Sequence, residues 1–597
     1  MSPFRWSRAV AVALCMAACG TTATATAAVA ATPAPSGGRA AEKYWTAERM
    51  AAAKPADAGR AAAPASAARS RALVGAAPTG TPQGAYGDGI PMVGTFFSST
   101  GPDGPTYCTA SVVHSAGRNL VLTAGHCAKS LAGGGQRVFV PQYRKGLDAA
   151  HQPYGVFPVD RVFTDPRYTK NSKGPDSSLD FGFARVLPNA QGASVEDRTG
   201  ALRLTPTPRW TSTVTVTGYP GSHNPDQKAV SCTVPTSRLA GYRQLQMKCG
   251  GFYGGTSGSP WITNYDAKNR TGDVIGNLGG WNGGGNATGD DWISYSPVYD
   301  HEIQDLYQDA VADRTPVRAA YQSPADGARL PGAASTWSHA RFLAPGDYDG
   351  DGREDLLTVW SDGEVTLYPG DGKGGFGAEK QLAKPKSYWQ RAQSVTSGDF
   401  SGTGRPDVLV RWDTGKVSYY EDVDPAGFDN KKEYTLAAGG SAWKDAAQIA
   451  VGRFNSADRA NDMIVRWADG KVTLHSDVGP AGTGTGTERR LADSGSFWRN
   501  STALTATLPA GRDRSQVVVR WADGSLGSFA LSGSGLTGTR LQAPNPSWAS
   551  PAMTAGDFGG AGRADGLLVR WADGETSLYD GTAADTLGTW NPLVNTG

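Results

Sequence analysis

The sequence predicts an all-β protein, with an antiparallel β-barrel region followed by a β-propeller of about five blades. The 597 residues include 79 glycines and 17 tryptophans, a composition typical of turn-rich β structure. Short strand-like segments bounded by Gly, Pro and Asn fill the first half, and a motif recurring about every 50 residues fills the second. The chain is too long for one ordinary core, so two or more domains are expected.

The amino terminus has the pattern of a secretory signal. Arg5 and Arg8 precede an apolar run, Ala9 to Ala18, that is too short to span a bilayer. Residues 28–30 (Ala-Val-Ala) offer a cleavage site. We therefore predict a secreted protein whose mature chain has no transmembrane segment. Lipid anchoring through Cys19, which follows Met-Ala-Ala, remains an alternative.

Residues 31–85 are rich in Ala, Pro, Gly and Arg and poor in aliphatic residues, so we expect them to bury little. One short helix is predicted from Glu42 to Met50. The segment is interpreted as a propeptide that keeps the protein an inactive zymogen, with a plain linker as the alternative. The stretch from Arg69 to Leu73 is a plausible processing zone.

The next region alternates strand-like runs with turns, which favours an antiparallel barrel. A final run, Val298 to Val311, has helical spacing and is expected to close the region as a helix. The predicted strands lie at residues 92–97, 110–113, 119–122, 137–140, 181–184 and 213–219.

A serine flanked by small residues marks the candidate site. Residues 255–260 (Gly-Thr-Ser-Gly-Ser-Pro) suit a nucleophile on a tight turn, where glycines let backbone N–H groups converge. A serine hydroxyl needs a histidine to accept its proton and a carboxylate to orient that histidine. The candidates are Ser257, His126 at the end of an apolar run, and Asp180 before a strand-like segment. Asp176, Asp160 and Asp165 are alternatives for the acid.

These motifs (Thr-Ala-Gly-His-Cys around His126, Leu-Asp-Phe-Gly around Asp180, and the Ser257 turn) occur in the order of the chymotrypsin-like serine endopeptidases, which residues 86–315 resemble. The Ser-Gly-Ser-Pro ending is closer to the bacterial glutamyl-endopeptidase branch. The resemblance implies a double β-barrel, a His-Asp-Ser triad that needs no cofactor, and an oxyanion hole formed by the N–H groups of Gly255 and Ser257. It also implies a protein or peptide substrate.

Four cysteines remain once the signal is removed, and their even number predicts disulfides with three possible pairings. The resemblance favours Cys108–Cys127 and Cys232–Cys249. Closing the loop around His126 would contribute about 3 kcal/mol through chain entropy.

Two departures from the family concern activation and specificity. Thr256 precedes the serine where trypsin has Asp, so the usual activation ion pair is absent. Gly251 lies six residues before the serine, where trypsin keeps its specificity acid, and Phe252 and Tyr253 follow. The segment from Gly276 to Trp281 is expected to form one pocket wall and lacks the histidine of glutamate-specific relatives. An apolar or broad preference is predicted.

The second half contains five units, each with a strand, an Asp-Gly type hairpin and another strand. They resemble FG-GAP/VCBS repeats, which form propellers. The tryptophans are interpreted as blade core. Residues 586–590 either complete the first blade or begin a sixth. Two series of tryptophans keep the period: Trp337, Trp389, Trp443, Trp498 and Trp548, and Trp360, Trp412, Trp467, Trp521 and Trp571.

The first unit carries a loop with oxygen ligands at alternate positions, which is typical of calcium loops. Carboxylates this close would repel one another without a cation. The weaker second unit (Asp399, Ser401, Thr403, Asp407) leaves open a second site. The predicted calcium ligands are Asp347, Asp349, Asp351, the carbonyl of Arg353, and Asp355.

The near-neutral formal charge of +2 gives no reason to expect a nucleic-acid partner. We therefore predict a secreted serine endopeptidase with an appended calcium-binding domain for a polysaccharide, cell-wall or protein ligand. The alternative is a secreted binding or adhesion protein with a weak or inactive protease domain. The expected division is a signal peptide (1–30), a propeptide or linker (31–85), a protease domain (86–315), a linker (316–330) and a propeller (331–597).

Overall fold

The computed structural model describes residues 36–57, 77–100, 104–131, 134–170, 172–321, 329–455, 458–480, 482, 488–533, 535–548 and 551–595. The predicted signal peptide with Cys15 and Cys19, and the predicted processing zone at residues 69–73, lie outside these residues.

Among the described residues, sixteen strands precede the repeats. They are β1 (Lys54–Pro55), β2 (Ala85–Gly87), β3 (Val93–Ser98), β4 (Thr106–Val113), β5 (Leu120–Thr123), β6 (Arg137–Pro141), β7 (Phe157–Thr164), β8 (Gly182–Val186), β9 (Ala201–Leu204), β10 (Thr213–Gly218), β11 (Ala229–Pro235), β12 (Ser237–Arg238), β13 (Gln244–Lys248), β14 (Pro260–Asp266), β15 (Thr271–Asn277) and β16 (Ile293–Pro297). We call β2 to β16 with their connections, residues 77–321, the barrel region.

A closed six-stranded antiparallel barrel forms from β3, β4, β5, β8, β7 and β6 in that order, with β6 returning to β3. A second group runs β2-β11-β10-β14-β15-β9, and β12-β13-β16 form a separate small sheet. The two large groups join through the parallel pair β4–β9. The predicted all-β fold class is confirmed, and the predicted strands agree with the observed ones to within a few residues at each end.

The described residues contain six α-helices, none of them long and apolar enough to cross a membrane. The predicted closing helix is present, beginning at His301 rather than Val298 because Asp300 caps it by accepting a hydrogen bond from the Glu302 N–H. The helices are α1 (Ser36–Tyr44), α2 (Ala47–Ala51), α3 (Gly125–Leu131), α4 (Val195–Thr199), α5 (His301–Val311) and α6 (Ala334–Trp337).

The amino-terminal segment is more ordered and more buried than its composition predicts. The single helix expected from Glu42 to Met50 is instead two helices, because the chain turns at Trp45 and Thr46 caps α2. The Trp45 indole is fully buried, with its ring 5.5 Å from that of Phe97 on β3. The expectation that residues 31–85 bury little is therefore wrong for residues 36–57.

Five four-stranded antiparallel sheets follow. Their strands are β17 (Ala340–Gly346), β18 (Asp355–Trp360), β19 (Val365–Tyr368) and β20 (Lys380–Ala383); β21 (Ala392–Gly398), β22 (Asp407–Trp412), β23 (Val417–Tyr420) and β24 (Glu433–Ala437); β25 (Ala446–Gly452), β26 (Asp462–Trp467), β27 (Val472–His475) and β28 (Glu488–Ala492); β29 (Ser501–Thr507), β30 (Gln516–Trp521), β31 (Leu526–Ser532) and β32 (Gly535–Gln542); β33 (Ala552–Gly556), β34 (Gly566–Arg570), β35 (Thr576–Asp580) and β36 (Thr589–Val594).

The first strands of successive sheets contact one another, and β33 contacts β17, so the five sheets close into a ring. This is the arrangement of propeller blades. In each sheet the two tryptophans of one repeat lie together, with ring centroids 4.6 to 5.5 Å apart. These tryptophans are blade core, as predicted.

Both expectations for the tail at residues 586–590 are wrong. The chain there enters β36, which pairs with β35 as the outer strand of the fifth sheet. It neither completes the first sheet nor begins a sixth. Each unit supplies all four strands of its own sheet, and the backbone N–H groups of Arg329 and Leu330, which bond to the Leu593 carbonyl, join the two ends of the ring.

The barrel region packs directly on the fifth sheet. The Arg209 guanidinium contacts the carboxylates of Asp573 and Glu575, 2.9 Å from the latter. The Trp210 indole lies 5.0 Å from that of Trp590, and its Nε1–H donates to Asn595. One apolar cluster therefore includes residues of both parts.

Candidate active site

Two paired strands place the histidine and the acid side by side. His126 lies in the first turn of α3, immediately after β5, and Asp180 lies immediately before β8. Strands β5 and β8 are antiparallel neighbours, with Thr123 opposite Gly182. Side chains that leave the end of β5 and the start of β8 therefore meet at one edge of the barrel.

The His126–Asp180 contact is close and shielded from water. Imidazole Nδ1 is 2.9 Å from Asp180 Oδ2, and the His126 backbone N–H donates to Oδ1 at 2.8 Å. Both side chains are buried. Because Nδ1 faces a carboxylate, it carries a proton, which leaves Nε2 as the basic nitrogen of the neutral ring.

The alternative acids are engaged elsewhere. Asp176 accepts hydrogen bonds from the Thr169 N–H and from the Ser172 hydroxyl. Asp160 forms an ion pair with Arg185, and Asp165 forms one with Arg167. Of the four candidate acids, Asp180 is the one hydrogen-bonded to His126.

The segment from Gly276 to Trp281, expected to be a pocket wall, also holds the acid in place. The Gly280 N–H donates to Asp180 Oδ2 at 2.7 Å, and the Asn277 amide donates to the Asp180 backbone carbonyl. A buried Tyr299 hydroxyl in turn donates to Asn277 Oδ1 at 2.8 Å. This chain fixes the carboxylate that faces the imidazole.

Ser257 lies on the turn before β14, pressed against β4. Thr109 donates from its N–H to the Ser257 carbonyl and from its hydroxyl to the Gly255 carbonyl. A Cβ on Gly258 would come within 2.2 Å of the Thr109 carbonyl oxygen, and Gly255 has a φ of +95°. Both positions therefore need glycine. The disulfides Cys108–Cys127 and Cys232–Cys249 form as the resemblance implied.

The Ser257 hydroxyl donates to a residue that the sequence analysis did not single out. Asp57, just after β1, accepts from Ser257 Oγ at 2.5 Å through Oδ2 and from the Gly255 N–H at 2.8 Å through Oδ1. Ser257 is fully buried. No local motif around Asp57 signals this role, because the contact spans 200 residues of sequence.

His126 Nε2 is buried and has no hydrogen-bond partner among the described residues. Burial disfavours the imidazolium, but the adjacent Asp180 carboxylate, and more weakly Asp57, outweigh that cost and raise the pKa of His126 above its ordinary value. The imidazole is therefore basic and oriented, while the serine proton points to Asp57.

An acid missed by the sequence analysis lies beside the predicted specificity residues. Asp291 Oδ2 accepts from the Gly251 N–H at 2.7 Å. Burial and this same carboxylate raise the pKa of Tyr253 to about 12. The Tyr253 ring also stacks on His223, with centroids 4.7 Å apart. Nothing in the sequence near Asp291 predicts that it comes back to this loop.

The acidic loop of the first repeat gathers three of its predicted ligands. Carboxylate oxygens of Asp347, Asp349 and Asp355 lie within 4.8 Å of one another. The Asp351 carboxylate turns instead to the Arg353 guanidinium. Burial, and then the nearby Asp349, raise the pKa of Asp355 to about 6. Three convergent carboxylates on a short loop are the donor set that a hard divalent cation prefers.

The corresponding loops of other repeats satisfy their polar groups internally. In the second, the Ser401 hydroxyl bonds to both Thr403 and Asp407. In the fifth, an Arg563 guanidinium pairs with Asp565 at 2.6 Å. In both loops, groups that could bind a cation are thus already engaged with neighbouring side chains.

Comparison with known families matches two parts of the chain. Residues 80–289 match the family model described as Trypsin. Residues 80–289 thus form a trypsin-family domain. Residues 333–410 match the model of an FG-GAP-like repeat. A comparison with curated proteins gives no significant match.

Solved structures similar to this chain include serine proteases. The protease Anisep from Arthrobacter nicotinovorans is 21% identical, with a TM-score of 0.32, over 38% of this chain and 98% of its own. The thermostable serine protease AL20 from an extremophilic microorganism is 24% identical (TM-score 0.31; 37% and 97%). A Glu endopeptidase is 17% identical (TM-score 0.30; 39% and 98%). The trypsin-family domain supports a protease.

Proposed function

We propose that the protein is a secreted serine endopeptidase whose triad is His126, Asp180 and Ser257. The observation that carries the proposal is the buried His126–Asp180 pair beside a serine on a glycine turn. The basic Nε2 lacks a partner among the described residues, as a general base awaiting its proton donor requires.

The chemistry proceeds through an acyl-enzyme. His126 Nε2 accepts the Ser257 proton as Oγ attacks a peptide carbonyl carbon, and the carbonyl oxygen becomes an oxyanion. The N–H groups of Gly255 and Ser257 stabilise that charge. His126 then protonates the leaving amine. Water repeats the sequence on the ester, releasing the acid and restoring Ser257, while Asp180 stabilises the imidazolium throughout.

The appended ring of sheets is proposed to bind calcium through the loop at residues 347–355. The side chains of Asp347, Asp349 and Asp355 and the Arg353 carbonyl would hold the ion, and Asp351 would join them if it left Arg353. The ion would neutralise converging carboxylates and stiffen the loop. A cavity of about 530 Å³ along the ring axis offers space for a ligand of polysaccharide or peptide size. The ring would thereby bind a substrate, cell wall or other surface.

Export is proposed from the amino-terminal pattern and is consistent with the two disulfides, which are typical of oxidising compartments. Lipid anchoring through Cys19 is the alternative outcome. Mass determination of the mature amino terminus distinguishes a chain beginning after residue 30 from a lipidated chain beginning at Cys19.

Hydrolysis of casein by the chain, after residues 36–57 have been removed by limited proteolysis, tests the activity. Ser257→Ala should abolish hydrolysis. Ser111→Ala is the matched control, because that buried hydroxyl on β4 has no partner among the described residues and its loss should leave the rate unchanged. Equal rates for wild type and Ser257→Ala would exclude this nucleophile.

A binding protein with an inactive protease domain is the second candidate. The hydrogen bond from Ser257 to Asp57, in place of one to His126, favours it for the chain as it stands. Absence of hydrolysis by the processed wild type, together with retained calcium binding, would support this candidate.

A further inference from the structure

We propose that residues 36–57 are an intramolecular inhibitor of the proposed serine endopeptidase, and that the Asp57 carboxylate blocks the site by accepting hydrogen bonds from one proposed oxyanion donor and from the Ser257 hydroxyl. The inference rests on the proposed function and specifies how it is regulated. The propeptide predicted from composition gives neither the blocking residue nor the way in which it blocks.

The segment is docked on the barrel by apolar burial. Trp45 is fully buried and Met50 is 1% exposed, and both belong to the cluster that includes the core of the closed six-stranded barrel. The Gln227 amide donates to the carbonyl of Ala51 at the end of α2. Burying a tryptophan and a methionine stabilises the docked segment by several times the thermal energy. This stabilisation does not depend on the contacts of Asp57.

A short strand then leads the chain into the site. β1 runs parallel to β4, with Lys54 opposite Thr106 and Pro55 opposite Tyr107. The Lys54 N–H donates to the Pro105 carbonyl and the Ala56 N–H to the Tyr107 carbonyl, both at 2.9 Å. These bonds fix Asp57 two residues beyond the last paired residue, Pro55, where its side chain reaches the serine turn.

The Asp57 carboxylate engages two groups that catalysis needs free, the Gly255 N–H and the Ser257 hydroxyl. Its Oδ1 accepts a hydrogen bond from the Gly255 N–H, one of the two proposed oxyanion donors, and its Oδ2 accepts one from the Ser257 hydroxyl. A carboxylate is a poor electrophile because its charge is delocalised, so the serine cannot turn this blocking group into a substrate. Ser257 is also fully covered.

The inhibitor and the site belong to one chain, which gives the contact a high effective concentration. A cut between residues 57 and 77 would make the docked segment a separate peptide that can dissociate. Activation by proteolysis then requires no new amino terminus paired with residue 256, which is consistent with Thr256 in place of the usual acid.

The test measures the rate of covalent labelling by a serine-directed phosphonate in chains whose mass shows that residues 36–57 are retained. Asp57→Ala should label at least about tenfold faster than wild type, because two charge-assisted hydrogen bonds are lost. The labelling rate of Asp57→Asn should fall between those of wild type and Asp57→Ala. Its amide oxygen can accept a hydrogen bond from the Gly255 N–H, but its NH₂ group cannot accept one from the Ser257 hydroxyl. Asp266→Ala, which removes an acid at the end of β14 that accepts hydrogen bonds from its own turn, should label like wild type.

Equal and rapid labelling of wild type and Asp57→Ala at Ser257 would overturn the inhibitor and leave the endopeptidase intact. If no variant labels at Ser257 even after removal of residues 36–57, the endopeptidase fails and the inhibitor with it. Should Asp57→Ala lose the wild-type thermal transition, the isosteric Asp57→Asn decides: labelling no faster than wild type overturns the proposal.

Discussion

Asp180 and Asp57 contact the same site with opposite expected effects. Asp180 is buried against His126 Nδ1 and orients the ring, whereas Asp57 accepts the hydrogen bond of the Ser257 hydroxyl. The carboxylate type is the same in both cases, so its position relative to the imidazole decides its effect. One acid would promote proton transfer and the other would prevent it.

Asp180→Asn in the processed chain should lower kcat by roughly 10⁴ while leaving KM nearly unchanged. An amide facing Nδ1 favours the wrong tautomer and cannot stabilise the imidazolium. Steady-state kinetics on a peptide substrate measures the effects on kcat and KM separately. Asp176→Asn is the control, because Asp176 accepts only loop hydrogen bonds. A comparable loss in both variants would contradict the assignment of Asp180.

Acid should strengthen the block by Asp57. The charged groups acting on His126 are Asp180 and Asp57, which raise its pKa, and Lys170, which lowers it. Asp57 raises the pKa of His126 only while residues 36–57 are docked, so protonation of His126 strengthens the docking. This added docking free energy is fully present below the pKa that His126 has when the segment is undocked. The added docking free energy is lost as pH rises through the higher pKa that His126 has when the segment is docked.

This linkage is measured by the labelling rate of Asp57→Ala divided by that of wild type. Both rates contain the intrinsic pH dependence of the Ser257 reaction, so it cancels in the ratio. The ratio should fall as pH rises from about 5 to about 9, a range that brackets histidine titration. A ratio that stays constant or increases with pH would contradict this coupling between Asp57 and the charge of His126.

At the scale of elements, strands were the most predictable feature. Segments such as Thr213 to Tyr219 alternate with period two and lie between turn residues, so their extents follow from local chemistry. The His-Asp pairing was also accessible, because apolar runs mark where β5 ends and β8 begins. The tryptophan spacing similarly predicted the five sheets.

Long-range contacts were not accessible from the sequence. The contacts of Asp57, Asp291 and Glu575 depend on segments that meet only after folding, and no local pattern records them. Composition was misleading for residues 36–57, because two large apolar residues, Trp45 and Met50, dock the segment despite its many alanines. The tail was misassigned because the start of a repeat and the outer strand of a sheet share one pattern.

The acidic loop of the first sheet gives a prediction at this scale. Calcium should raise the melting temperature of the wild type, because a ligand that binds only the folded state stabilises it. Asp349→Asn should remove most of that shift, since Asp349 is one of three converging carboxylates. Differential scanning calorimetry with calcium and with a chelator measures it.

Asp399→Asn, at the first position of the corresponding loop in the second sheet, is the matched control. The hydroxyls of that loop already bond one another, so its calcium response should equal that of the wild type. An equal loss in both variants would show that the second loop also binds the ion.

At the scale of the whole molecule, the barrel region and the ring form one compact unit. The fifth sheet provides the contact, and Glu575 is its centre: fully buried, it accepts hydrogen bonds from Arg209 and from the Trp210 N–H. We expect a proteolytic fragment without the ring to expose this surface and lose stability.

Glu575→Ala should lower the free energy of unfolding by about 3 kcal/mol, because it removes the buried carboxylate that pairs with the buried Arg209 guanidinium. Denaturant unfolding of the full chain measures the change. Glu364→Ala alters the same hairpin position in the first sheet, away from the barrel region, and should cost under about 1 kcal/mol. Equal losses would contradict a specific role for the interface.

The central claim, that Ser257 is the nucleophile activated by His126 and Asp180, is tested most directly by peptide mapping of the phosphonate adduct in the processed chain. We expect a single adduct on Ser257, with labelling abolished by His126→Ala. An adduct on another serine, or undiminished labelling of Ser257 without His126, would contradict it.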